Sequence, residues 1–233
     1  MGADIDLYVE KRHANGEWEL IFPSSDMAEQ LHGEWGKDQN YIDKMSGWAW
    51  YSQRNYGLFA LLANVRNRFN IESPWKYRGM PADSQLKDND LERYGHSTSH
   101  VTLRELLDFD WSTSVLKSGW VGASEYQEFK EKGAPRSYSQ GVGGGTAKHV
   151  TNEEMDALFD NDVIVEKPLP TEDRPEQRVW TSTDGNSYFT KVEWHESLRE
   201  PCGSFLTWTI PALKEFTKDT DPADIRLTYW FDC

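Results

Sequence analysis

Two alternating runs at opposite ends constrain this chain more than any other feature. Near the N-terminus, "DIDLYVEKR" sets Ile5, Leu7 and Val9 on one side and Asp4, Asp6, Tyr8 and Glu10 on the other, the period of a half-buried strand. "HANGEWELIF" follows with an Asn15-Gly16 turn and a second alternating run, so the chain opens as a β-hairpin. The last run, "IRLTYWFD", is rich in β-branched and aromatic residues and reads as a strong terminal strand. Strands at both ends with helices between them predict an α+β domain. Its N- and C-terminal strands meet in one mostly antiparallel sheet, and helices from the middle of the chain cover a face.

The helices show in the middle. "SSDMAEQLHGEW" has a cap near Ser25 or Asp26, and "RNYGLFALLANVRNRF", residues 54 to 69, is apolar around most of a helix. Thr102 with Glu105, and Thr151 with Glu154, spell two capping boxes ahead of apolar runs. Residues 70 to 95 are polar, contain "RGMPAD", and read as a long loop. "QRVWTST" and "SYFTKVEWHE" flank Asp184-Gly185-Asn186 as a hairpin, "SFLTWTI" reads as a further strand, and "PALKEFTK" as a short helix. The 233 residues suffice for one good core, so the expectation is a single domain over 1–233 with a flexible Gly-rich segment at 133–149.

Charge narrows the partners. With 39 acidic against 25 basic residues the formal charge is −14, which repels nucleic-acid backbones and anionic membranes and argues against long nucleic acid as a partner. A small anion is different, because a few arginines in a pocket can hold it. Two cysteines, Cys202 and Cys233, without a secretory or membrane-spanning run, predict a cytoplasmic protein with no membrane partner. Eleven tryptophans, ten tyrosines and ten phenylalanines supply both core filling and stacking platforms.

Arg66 poses the sharpest chemical question. On a helix over 54–69 it shares the stripe of Phe59 and Leu62, and a guanidinium there needs an anion, supplied by one of the chain's carboxylates or by a ligand. Arg54, Arg78, Arg136 and Lys148 are further cations on or beside the helix, the loop and the glycine segment. That segment matches neither a P-loop nor a dinucleotide fingerprint.

Histidine offers a second pattern. His96-Ser97-Thr98, His100-Val101-Thr102 and His149-Val150-Thr151 each read His-x-Thr, the short motif of two-histidine phosphoesterases, where paired imidazoles act as base and acid. Thr102 and Thr151 are already accounted for as helix caps, and the triplets read as loops entering helices, whereas that family places them on paired strands. His96 and His100 ligate a metal only if 96 to 100 is helical, and no carboxylate joins them, so neither a metal nor a cofactor is expected. No Gly-x-Ser-x-Gly is present, and Cys202 has no base beside it in sequence.

"MGADID", "RNYGLFALLANVRN", "RGMP", "HSTSHVTLREL" and "RLTYWFD" together resemble, in order and over most of the chain, a widespread group of bacteriophage proteins. These open Met-Gly-x-Asp-Ile-His and carry an Arg-Asn-Tyr-x-Leu-Phe-Ala helix. Asp6 stands where that pattern has His, so any role of that histidine is not transferred. Through this group the chain is similar to the phage anti-CBASS sponge proteins. The resemblance implies a homo-oligomer, a tetramer, which suppresses host defence in the host cytoplasm by binding cyclic dinucleotides or related signals without cleaving them. The expected ligand-binding set is Arg54, Tyr56, Arg66, Arg78, His96, Ser97 and Arg136, with arginines on phosphate and rings on bases. The alternatives are a phosphodiesterase acting on the same ligands through His96 and His149, and a phage protein-interaction protein with no small ligand.

Overall fold

The computed structural model describes residues 2–32, 50–86, 95–167 and 179–232, and the chain divides into two compact units. Unit 1 comprises residues 1–113 and 197–233, and unit 2 comprises 114–196.

Unit 1 is built on a four-stranded antiparallel sheet, ordered β2-β1-β9-β3. Here β1 is Asp4–Arg12, β2 Trp18–Ile21, β3 His96–Thr102 and β9 Ile225–Asp232. The two ends of the chain do meet, since β9 lies beside β1 with Ile5 opposite Phe231, Leu7 opposite Tyr229 and Val9 opposite Leu227. These pairs form one apolar face, and β3 extends it with Val101 opposite Leu227.

Helix α1 spans Ser25–His32, and α2 spans Tyr56–Ala63 with every residue from Leu58 to Ala63 buried. The apolar face carries α2: the Phe59 and Phe231 rings are 5.0 Å apart, and Tyr229 Oη donates to Leu62 O at 3.0 Å. Burying Leu58, Phe59, Leu61 and Leu62 stabilises by roughly 1.5–3 kcal/mol each. Asn55 caps α2 by accepting from Leu58 N at 3.0 Å and ties it to the chain's far end by donating from Nδ2 to Pro201 O. Helix α3, Leu103–Asp108, follows β3 directly and opens with the predicted Thr102–Glu105 capping box.

Four expectations change here. Helix α2 ends at Asn64, whose φ of 62° makes it a left-handed cap with its N–H on Ala60 O and Phe59 O, so the helix does not run on to residue 69. Arg66 therefore leaves the apolar stripe: it is exposed, with φ 54°. Residues 96 to 102, read as a loop, pair with β9 as its second neighbour. "SFLTWTI" is a π-helical turn, Phe205–Thr209, leading into α6, Ile210–Phe216, because Phe205, Thr209, Ile210 and Leu213 bury at helical spacing. The described part of the predicted 70–95 loop, residues 70–86, holds turns and no regular element; 87–94 lie outside the described residues.

Unit 2 holds a three-stranded sheet ordered β4-β8-β5, with β4 Ser114–Gly122, β5 Ala147–His149 and β8 Ser187–Ser197, and a separate antiparallel pair, β6 Ile164–Lys167 with β7 Val179–Ser182. Strand β5 runs parallel to β8. The Asp184–Asn186 turn forms, yet β7 joins β6 and β8 joins the other sheet, so the predicted hairpin is a corner between two sheets. Helices α4, Ala123–Lys132, and α5, Asn152–Asp160, supply Tyr126 and Met155 to a core with Val121, Ile164, Val192 and Trp194. The glycine segment is anchored at several points: Trp120 and Ser139 exchange backbone bonds at 2.8 and 2.9 Å, and His149 Nε2 lies 3.1 Å from Val142 O.

Candidate functional site

The predicted ligand-binding residues do not form one pocket. Arg54, Tyr56, His96 and Ser97 lie toward the end of the unit 1 sheet where Asp4 stands opposite Asp232 and His96 opposite Phe231. Arg54 grips Asp4 with two bonds of 2.8 and 2.6 Å, and Tyr56, at the first turn of α2, sets its ring 5.8 Å from Phe59. His96 lies opposite Phe231 on β3, with its Nδ1 2.9 Å from Ser97 Oγ, and Ser97 takes a φ of 55° where the β3–β9 register shifts. Arg78, in the irregular segment before β3, bonds to Ser99 and His100 of that strand and is committed to Glu105 through bonds of 3.1 and 2.7 Å. In unit 2, Arg136 lies 3.7 and 3.9 Å from carboxylate oxygens of Glu125 and Glu128. The chain's own acids thus face Arg54, Arg78 and Arg136, which leaves these guanidiniums partly neutralised toward a phosphate.

The buried arginine is a different one, missed by the sequence reading. Arg226, 6% exposed, stands opposite the fully buried Glu10 on the polar face of the sheet. Its Nε donates to Glu10 Oε2 at 3.1 Å, its Nη1 to Asp83 at 2.8 Å, and its Cζ lies 3.9 Å from the centroid of the Trp18 ring. Glu10 also accepts from Ser84 Oγ, Gln85 N and Thr228 Oγ1, so its buried charge is met on all sides. The alternation held a clue, because Tyr8 and Glu10 on one strand and Arg226 and Thr228 on the other are the off-face positions of apolar strands. A groove of about 710 Å³ opens beside this cluster, lined by His13, Glu17, Trp18, Glu19, Asp83 and Gln85. Its carboxylates repel a phosphate.

Unit 2 contains a cavity of another character, about 400 Å³, between the start of α4 and the β7–β8 corner. Trp180, Tyr188 and Phe189 supply rings, and Ser124, Thr181, Ser182 and Asn186 supply hydroxyl and amide groups. Each is placed by local chemistry. Trp180 N donates to Ser124 Oγ at 3.0 Å, and the indole sits 5.2 Å edge-on from Phe159. Tyr188 Oη donates to Asp184 Oδ2 at 2.5 Å, while Asn186 donates to the same carboxylate from its backbone and side chain. Those donors, Tyr188 first, hold the Asp184 carboxyl down at about 2, and the carboxylate in turn raises the Tyr188 phenol. Gly122, the N-cap of α4, has no side chain to bond the first turn, so the helix presents backbone N–H groups there. Thr181 Oγ1 is buried without a hydrogen-bond partner among the described residues. Glu125, on the cavity wall, already accepts from Ser137 Oγ at 3.3 Å. No sequence motif marks this cavity; its only local signal is the Asp-Gly-Asn turn with aromatic residues on both sides.

The histidines lie on strands rather than in loops: His96 and His100 on β3, His149 at the end of β5. His149 stacks on Trp120 with ring centroids 4.4 Å apart, and His100 Nδ1 is 3.0 Å from Gly79 O. Among the described residues no group of three or more His, Cys, Asp or Glu is placed to hold a metal, and no helix is long and apolar enough to cross a membrane. Compared with known proteins, the chain matches no family model, no curated protein and no solved structure.

Proposed function

We propose that this protein is a binder of a nucleotide-sized ligand, held without chemistry in the unit 2 cavity. Cyclic nucleotide signals are the class implied by the sequence resemblance, and sequestering them in a host cell is the biological role that follows from it. One observation carries the reading: Trp180 and Tyr188 share a cavity of about 400 Å³ with hydroxyls, an amide and the uncapped start of α4. Ligand sites of roughly 300–1,000 Å³ with aromatic walls and a few polar groups hold ligands of this size. In this reading the rings stack on a base, and the α4 backbone N–H groups with Ser124 meet phosphate oxygens, a task first expected of the arginines.

A phosphodiesterase acting on the same ligands through His96 and His149 is the second reading, and one experiment separates the two. The protein is mixed with cyclic dinucleotides and cyclic ADP-ribose isomers at stoichiometric and at trace concentration, then denatured, and the supernatant is chromatographed. Binding alone depletes free ligand in proportion to protein and returns the parent compound intact. Product at trace protein, lost in His96→Ala or His149→Ala, refutes sequestration. Base stacking on an aromatic ring contributes about 1–3 kcal/mol, so Trp180→Ala weakens binding by about fivefold to a hundredfold. Unchanged affinity in that variant removes the cavity from the proposal.

A further inference from the structure

Tyr77 keeps a large side chain where the backbone disfavours one and solvent surrounds it. Its φ is 65°, in the left-handed region where a Cβ crowds the next carbonyl and a bulky residue is an outlier. The ring is 70% exposed. Its described contacts are slight: Asn64 Nδ2 lies 3.5 Å from the phenol oxygen, and Lys76 Nζ is 5.7 Å from the ring centroid. A glycine here relieves the strain and leaves no hole, as Gly79 shows two residues later, with φ 75° and open space about it. Packing does not explain the side chain. Recognition of something outside the chain does.

The loop is held so as to display that ring. Ser99 Oγ donates to Trp75 O on one side of Tyr77, and on the other Arg78 N donates to Ser99 Oγ at 3.2 Å, with His100 Nδ1 on Gly79 O. The segment that carries it departs from the acidic balance of the chain. Residues 64–79 hold Arg66, Arg68, Lys76 and Arg78 against Glu72, in a chain of net charge −14; Arg78 is paired with Glu105, and Arg66, Arg68 and Lys76 are exposed. Screening limits the reach of these cations to about 8 Å at physiological salt, so a short acidic segment feels the loop alone. A long nucleic acid runs past the loop and meets the acidic remainder of the surface. Tyrosine and arginine are also the side chains that anchor protein interfaces.

We propose that Tyr77, with the cations Arg66, Arg68 and Lys76, forms a docking surface for a short acidic segment of a partner protein. This surface belongs to unit 1 and stands independently of the ligand cavity in unit 2. The test uses the full chain and fluorescence anisotropy with three labelled probes: a short peptide of Asp, Glu and Gly, a neutral Gly-Ser peptide, and a thymidine oligonucleotide. The acidic peptide is expected to bind in preference to both others and to weaken with salt. Tyr77→Gly is expected to weaken it by about tenfold, the behaviour of an interface anchor, while Tm stays level or rises. Asn70→Gly, at a second strained position with φ 52°, is the control: Tm stays level or rises and peptide affinity is unchanged. The proposal is overturned if the wild-type chain ignores the acidic peptide or prefers the oligonucleotide. It is equally overturned if Tyr77→Gly retains full affinity, if Tyr77→Gly lowers Tm, or if Asn70→Gly weakens binding as much.

Discussion

Replacing Arg226 with methionine tests how unit 1 holds a charge inside its sheet. The change deletes the bonds to Glu10 and Asp83 and the stacking on Trp18, and keeps most of the apolar stem. Breaking one side of a buried pair costs about 3–5 kcal/mol, because the remaining charge stays buried. Here Glu10 retains three donors, from Ser84, Gln85 and Thr228, which puts the loss at the lower end of that range. Loss of the contact between Arg226 and Trp18 adds about 1–2 kcal/mol, and Asp83, 62% exposed, regains water at little cost. The sum is about 4 kcal/mol, a fall of roughly 8–16 °C in Tm for a unit of this size. Scanning calorimetry of the unit 1 transition measures it. A second variant, Glu10→Leu with Arg226→Met, removes both charges and is expected to recover most of the loss, since an apolar pair of similar volume is often neutral. A single-variant shift under about 3 °C, or a double variant no more stable than the single, refutes the account of a buried pair with mutually dependent charges.

Three further outcomes follow from local geometry. Asn55→Ala removes the cap of α2 and the donor to Pro201 O, so urea denaturation should show a loss of about 1–2 kcal/mol; no change means that water replaces the cap. Burial raises the Glu105 carboxyl, but the Arg78 and Thr102 donors outweigh it and hold the group at about 2, below its ordinary 4.5. A depressed carboxyl stabilises fully above its unfolded value, so this contribution should fade as pH falls from about 4.5 toward 2, and Arg78→Ala should flatten that part of the urea midpoint curve. An identical acid slope in Arg78→Ala assigns the effect elsewhere. The Tyr188 phenol is raised first by its bond to Asp184, so Asp184→Asn should bring the high-pH tyrosinate absorbance step to lower pH, and a fixed step contradicts that bond.

Local chemistry wrote much of this fold into the sequence. Alternation in "DIDLYVEKR" and "IRLTYWFD" follows from the two-residue repeat of a strand, and a sheet made of the two chain ends follows from having such strands there. The Asn15-Gly16 turn and both Thr-x-x-Glu capping boxes are equally local, because the bonding atoms lie within a few residues of each other. Tertiary context decided the rest. "SFLTWTI" has a strand's composition, but the buried spacing of Phe205, Thr209 and Leu213 made it helical, and packing outweighs propensity. Asn64 is a common residue, and only its left-handed cap moved Arg66 out of the apolar stripe and made the question of its buried partner belong to Arg226 instead. Glu10 and Arg226 lie 216 residues apart, so no window of sequence joins them; register in the sheet does. The unit 2 cavity exists because β7 and β8 part into different sheets after the Asp184 turn, a choice of pairing partner made by long-range hydrogen bonds that leaves no mark on the residues themselves.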